Sequence, residues 1–153
     1  MHQDVRLRAT TVEDNEILFR NQLEPDATAM AGFPPRDRDA FMAHRTKIMA
    51  DETSEIRTIL AGGEVAGDIA CWIQDGVREV GYWLGKQFWG RGIATVALRA
   101  FVTEVTARPL YAHVVRHNTG SVRVLEKCGF RHLADDERPS DADPEEHLLV
   151  LRD

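Results

Sequence analysis

Residues 81 to 95, "GYWLGKQFWGRGIAT", crowd four glycines between a strand-like alternation and a helix-like stripe. Glycine loses more conformational freedom on ordering than any other residue, so this crowding points to a backbone geometry that a Cβ would block. Upstream, "VREVGYWL" alternates as a half-buried strand, with Glu79, Gly81 and Trp83 on one face and Val80, Tyr82 and Leu84 on the other. Downstream, Ala94, Leu98, Phe101 and Val105 form a helical stripe that predicts a helix from Gly92 to about Ala107, ended by Arg108 and Pro109. Gly90-Arg91-Gly92 thus falls at a strand-to-helix turn, where several backbone N–H groups can be aimed at one anion. The GxxxxGK[ST] loop of nucleoside triphosphate binders is absent, and Ile93-Ala94-Thr95 breaks the dinucleotide GxGxxG pattern. A diphosphate remains as the anion. On glycine spacing alone, a plain turn with a helix cap explains the residues equally well.

The remaining elements read in order. "VRLRA" alternates as a first strand, and Thr10 with Glu13 fits a capping box for a helix through about Leu23. "EPDATAMAGFPP" reads as a loop, followed by a helix from Arg38 to about Ala50 carrying Phe41, Arg45, Ile48 and Met49. "EIRTILAGGEVAGDIACWI" reads as a β-hairpin around "AGGE", and "QDG" turns it into the strand of Glu79, which makes an antiparallel meander. "LYAHVV" is a strand, "TGSVRVLEKC" a helix closed by Gly129, and "FRHLA" and "EHLLVL" are two last strands. The predicted order is βααβββαβαββ.

A chain of 153 residues with 43% apolar content buries one sizeable core, so one domain over 1–153 is expected. Apolar runs fall short of the roughly 18 residues a membrane span needs. The start "MHQDVRLRATTVED" lacks a secretion signal's apolar stretch, which makes a cytoplasmic protein the expectation. Cys71 and Cys128 read as reduced thiols with no zinc spacing, so no metal is expected. A net charge of -6 argues against nucleic acid and, weakly, for a neutral or cationic substrate.

"QFWGRGIA" resembles the Q/R-x-x-G-x-G/A signature of the GNAT superfamily of acetyl-CoA-dependent N-acetyltransferases, with Gln87, Gly90 and Gly92 on the signature positions. "EVGYWL" and "NTGSVRVLEKCGF" are similar to the corresponding segments of the branch related to ribosomal-protein alanine acetyltransferases. The resemblance implies an α/β (α+β) fold: a mixed, mostly antiparallel sheet of about six to seven strands flanked by about four helices. It also implies roles for residues. Main-chain groups at Trp83 and Leu84 would pair with the pantetheine arm of acetyl-CoA. N–H groups of Phe88, Trp89, Gly90, Arg91, Gly92, Ile93 and Ala94, with Thr95 beside them, would receive the diphosphate. Asn118 and Ser121 would lie near the thiol, although asparagine is also a good helix N-cap. Lys127 approaches the adenosine end or is simply solvated.

In that superfamily an amine attacks the thioester directly, so no nucleophilic triad is needed. The resemblance leaves three tasks: deprotonating the ammonium, stabilising the oxyanion near the Leu84 amide, and protonating the thiolate. Glu79 is the first candidate base, acting through a water, with a strand carboxylate paired to an arginine or simply solvated as the structural alternative. His113 is the second, because imidazole titrates near neutrality. The superfamily's usual acid is a tyrosine seven residues after the asparagine; Leu125 stands there, leaving Ser121 or water.

The resemblance also implies an acceptor that is a small-molecule amine or a peptide N-terminus, in a cleft flanked by the loop of Met30, Phe33, Pro34 and Pro35 on one side and by "DDERPSDADPEE" (135–146), seven of whose twelve residues are acidic, on the other. Both segments also read as ordinary surface loops. A homodimer through the last strands is compatible with the sequence. The alternative function is a non-catalytic acyl-CoA-binding sensor, which Leu125 favours. A phosphate-binding regulator of another fold is a third.

Overall fold

The computed structural model describes residues 4–32 and 34–153. Phe33, one of the residues expected beside the acceptor, lies outside the described residues. The order is β1 (Val5–Ala9), α1 (Asp14–Gln22), α2 (Pro25–Ala31), α3 (Arg38–Ala50), β2 (Glu55–Ala61), β3 (Glu64–Gln74) and β4 (Val77–Leu84), then α4 (Ile93–Glu104), β5 (Leu110–Val115), α5 (Thr119–Lys127), β6 (Arg131–His132) and β7 (Glu146–Leu151). All seven strands form one sheet in the order β1-β2-β3-β4-β5-β7-β6. Every pairing is antiparallel except β4 with β5. The fold is the mixed, mostly antiparallel one expected.

Two tight turns set the meander's register. Gly62 and Gly63 both take positive φ between β2 and β3, and Asp75 and Gly76 do so between β3 and β4, as two-residue hairpins require. Gly67 has a different reason: a Cβ there would come within 1.9 Å of the Trp83 carbonyl oxygen on β4.

Three expectations need correction. "EPDATAMAGFPP" is not all loop, because Pro25–Ala31 forms α2. Glu24 caps it by accepting from the Asp26 N–H, Pro25 sits in its first turn, and Gly32 ends it at φ 84°. Among the described residues the α-helices therefore number five, and the order is βαααβββαβαββ. Secondly, the Thr10–Glu13 capping box does not form. The α1 N-cap Glu13 makes no side-chain cap, and the Thr10 hydroxyl meets Thr58 instead. Thirdly, α4 stops at Glu104, since Val105 is already extended (φ -99°, ψ 105°).

The main core lies between one sheet face and α4 with α5. Ile59, Ile69, Leu98, Phe101, Leu110 and Leu149 are fully buried there. On the other face a smaller cluster of Leu18, Phe19 and Phe41 joins α1 to α3. Polar groups bind that layer to the sheet. Asp14 accepts two 2.8 Å bonds from Arg8 and one from the Thr58 hydroxyl, while buried Arg45 meets Asp68 at 2.6 Å and Asn15 at 3.0 Å. Among the described residues no helix is long and apolar enough to cross a membrane.

Candidate active site

The site begins where two strands part. β3 and β4 pair at eight positions and β5 and β7 at six, but β4 and β5 share only Glu79 with Tyr111. Beyond that pair the β4 segment Gly81–Leu84 and the β5 segment Ala112–Val115 diverge, and the wedge between them holds a cavity of about 190 Å³. It is walled by Tyr82, Trp83, His113 and Val115, floored by Leu98 and Leu125, and edged by Met30 and Ala31 of α2.

A larger cavity of about 420 Å³ continues from it between the β4–α4 turn and α5. Of the residues expected to hold the cofactor, Trp83, Leu84, Phe88, Trp89, Gly90, Gly92, Ile93, Ala94, Thr95, Asn118 and Ser121 line it, and Lys127 closes its far end. Gln87 and Arg91 do not. The Gln87 side-chain oxygen folds back to within 2.9 Å of where a Cβ on Gly85 would be, and the Arg91 guanidinium lies 5.6 Å from the Phe88 ring centre. The two cavities share Met30, Ala31, Tyr82, Trp83, Asn118 and Ser121.

Backbone geometry at the turn fits an anion. Gly90 and Gly92 both sit at φ 75°, and the space a Cβ would take at either is open. The run of donors is shorter than expected, however. The N–H groups of Phe88 and Trp89 are taken by the carbonyls of Gly85 and Lys86 in the short 3-10 turn Lys86–Phe88. The first intrahelical bond of α4 runs from Val96 N–H to the Gly92 carbonyl, so Ile93, Ala94 and Thr95 precede it and point their amides off the helix start. At the strand end, the Leu84 carbonyl accepts from the Trp89 indole at 3.1 Å.

Glu79 and His113, expected as alternative bases, are one unit. Glu79 is buried, and its Oε1 lies 2.6 Å from His113 Nε2; on the other ring nitrogen, Nδ1, Glu146 Oε1 stands at 3.4 Å. The partner of Glu79 is therefore this histidine and not an arginine. The bond to Glu79 raises the His113 pKa above its ordinary value against the opposing effect of burial, and the charges of Glu79 and Glu146 add smaller raises. From the acidic 135–146 stretch, Glu146 alone is drawn to His113. Glu137 is held instead by Arg131 and the Ala134 N–H, with Arg152 adding a little, and together they bring its carboxyl down to about 2.

Asn118 fills its N-cap role: its side chain accepts from the Ser121 N–H at 3.3 Å and so fixes the first turn of α5. Ser121 Oγ lies 2.9 Å from the Tyr82 hydroxyl, a contact across the wedge that sequence reading missed. Leu125, one turn further along α5, is 3% exposed and presents only methyl groups. Also missed were Ala27 and Ala31 of the α2 wall, whose Met30 was expected beside the acceptor, and the α5 face of Gly120, Arg123 and Val124. Glu24-Pro25 with Gly32 marked α2, and the three-to-four spacing from Gly120 to Lys127 marked the α5 face. Among the described residues no cluster of His, Cys, Asp and Glu is arranged to hold a metal ion.

A family model described as the acetyltransferase (GNAT) domain matches residues 4–131. The chain belongs to the GNAT acetyltransferase family. This GNAT chain is 24% identical over 144 residues to the uncharacterised N-acetyltransferase p20 of Bacillus licheniformis, a match over 82% of this chain and 78% of that protein. Among solved structures it is similar to the aminoglycoside acetyltransferase AAC(6')-Ib in complex with coenzyme A, at TM-score 0.78 and 20% identity over 97% of this chain and 95% of that one. It is equally similar to RimL, a ribosomal L7/L12 α-N-protein acetyltransferase bound to coenzyme A, at TM-score 0.78 and 18% identity over 97% and 93%. At those identities the structural matches establish the GNAT fold, and acetyl transfer rests on the family.

Proposed function

We propose that this acetyltransferase takes its acetyl group from acetyl-CoA and passes it to a primary amine, a small molecule or a peptide N-terminus, by direct attack on the thioester. One observation carries the reading: the cavity at the α4 start joins, along the open edge of β4, the smaller cavity walled by His113, whose Nε2 is bonded to Glu79. The diphosphate is received by the Gly90–Thr95 turn, with Arg123 and Lys127 adding positive charge. The pantetheine arm lies along Trp83 and Leu84. Coenzyme A complexes of AAC(6')-Ib and RimL, on the same fold, support the choice of donor.

The chemistry follows from the residues at the wedge. A lysine-like ammonium has a pKa near 10, so a base is needed at neutral pH. Glu79 and His113 supply it through a water. While His113 carries its extra proton it cannot accept another, so the base form grows as pH rises through its raised pKa. Glu79 and Glu146 around a single histidine also favour a cationic acceptor at the mouth.

The test has two arms. Calorimetry with acetyl-CoA is expected to show binding that Gly90→Val abolishes, because the new side chain meets both a positive φ and the cavity. Thiol release is then followed with phenethylamine, putrescine and an alanyl peptide. Glu79→Gln is expected to lower kcat/KM by roughly 100-fold with acetyl-CoA affinity unchanged. Absence of acetyl-CoA binding by the wild-type chain sinks the reading. Binding without turnover of any acceptor supports an acyl-CoA sensor instead.

A further inference from the structure

The wedge holds a hydroxyl pair of which Ser121 is the acid expected from the sequence and Tyr82 has no assigned task. Of the six residues common to the two cavities, Tyr82 and Ser121 are the two that carry a hydroxyl, and their oxygens are 2.9 Å apart. They come from different elements, β4 and α5, and meet where the acetyl group passes from one cavity to the other. Two neighbouring donors are committed elsewhere: the Trp83 indole points to the Asn21 carbonyl, and His113 is bonded to Glu79.

We propose that Tyr82 is the proton source behind the expected acid: as Ser121 gives its hydroxyl proton to the departing thiolate, Tyr82 refills it through their shared hydrogen bond. Ser121 is the catalytic residue and Tyr82 the positioning residue behind it. The proposal rests on acetyl-CoA as donor.

A serine hydroxyl is a much weaker acid than a thiol, so by itself it holds its proton too tightly. A tyrosine, near 10 in its ordinary range, is far closer to a thiol near 8.5. Burial raises the Tyr82 value further, against the opposing bond from Ser121, so the phenol stays protonated through neutral pH. A hydroxyl has one proton and two lone pairs, so Ser121 can accept from Tyr82 while donating to sulfur. Leu125 has no proton to give at its turn of α5. The strand tyrosine supplies through serine what that position lacks.

The step balances. The amine nitrogen forms the new C–N bond and the carbonyl electrons move to oxygen. Collapse of that oxyanion breaks the C–S bond, and sulfur keeps the electron pair. The ammonium nitrogen loses two protons, one through the water at Glu79 before attack and one to solvent water as the tetrahedral adduct collapses; sulfur gains one from Ser121, Ser121 one from Tyr82, and Tyr82 one from water entering the larger cavity, so one net proton is released. The products are the amide and free coenzyme A thiol.

Steady-state turnover with acetyl-CoA and phenethylamine or the alanyl peptide is compared for wild type, Tyr82→Phe, Ser121→Ala, Ser121→Thr and the Tyr82→Phe/Ser121→Ala double variant. Each hydroxyl deletion is expected to lower kcat about 10- to 100-fold, with the acetyl-CoA Kd within about twofold. The double variant falls no further than the weaker single variant, and Ser121→Thr keeps most of the rate. In Tyr82→Phe the fall of kcat at alkaline pH disappears. Loss of a purely structural bond would lower Tm or raise Kd and leave the pH profile alone. Wild-type kcat and pH profile in Tyr82→Phe, or losses that add in the double variant, overturn the proposal while leaving acetyl-CoA as donor intact. A wild type that binds no acetyl-CoA or acetylates neither amine overturns both. If Tyr82→Phe fails to fold, the Ser121→Ala and Ser121→Thr comparison decides: equal rates refute the relay.

Discussion

His113 stands between two carboxylates, Glu79 at 2.6 Å on one ring nitrogen and Glu146 at 3.4 Å on the other. Both favour the imidazolium, so the pair holds its proton to higher pH than a free histidine would. The sign follows: the ion pair stabilises the fold fully below about pH 6.5, the ordinary histidine value, and that stabilisation is lost as pH rises through the raised value. The same proton must leave before the pair can accept one from an amine. Glu146→Gln removes one of the two negative neighbours and is expected to move the rising limb of the pH–rate profile to lower pH. Measuring kcat/KM from pH 5 to 9 checks it; a limb that stays put would separate His113 from the base.

At the scale of elements, α2 is the piece that turns a sheet with a gap into a walled cleft. Two contacts seat it: His117 Nε2 lies 2.7 Å from the Ala29 carbonyl, and Gly32 packs its bare Cα against Val115 of β5. A Cβ on Gly32 would come within 2.7 Å of Val115 Cγ1, and the residue sits at φ 84°. Gly32→Ala therefore faces strain of about 1 kcal/mol from the left-handed backbone as well as the clash. It is expected to lower Tm by several degrees. Because Ala27, Met30 and Ala31 line the larger cavity, the variant should also weaken acetyl-CoA binding several-fold, which calorimetry reads directly. Unchanged affinity would mean that α2 does not shape the cofactor wall.

The layer of α1 and α3 is fastened to the sheet by charge as well as by Leu18, Phe19 and Phe41. Arg8, with help from the Thr11 amide and the Thr58 hydroxyl, holds the Asp14 carboxyl well below the usual carboxylate range. A depressed folded value contributes stability above the unfolded value near 4, and that contribution is lost as pH falls toward the folded one. Asp68 works the other way, since burial pushes its carboxyl up despite Arg45. A variant comparison isolates Asp14. Between pH 5 and pH 2, the urea midpoint of Asp14→Asn is expected to fall less steeply than that of the wild type, from a lower starting value; parallel slopes would remove Asp14 from the acid response.

Much of this was readable along the chain, because the relevant physics is local. Alternation in "VREVGYWL", the paired turn residues Gly62-Gly63 and Asp75-Gly76, and Gly90 and Gly92 before α4 all act within a few residues, and the meander and anion-binding turn follow from them. α2 was equally local and was missed by reading Pro34-Pro35 as the character of the whole segment. What the chain could not disclose is long-range. The pairing of Glu79 with His113 and of Tyr82 with Ser121 spans 34 and 39 residues, and each depends on β4 and β5 meeting at one position and then parting. Local pattern writes the strands and helices. Where two strands separate depends on the packing of Leu98 and Leu125 beneath them, and that exists only once the sheet and its helices have closed around a common core.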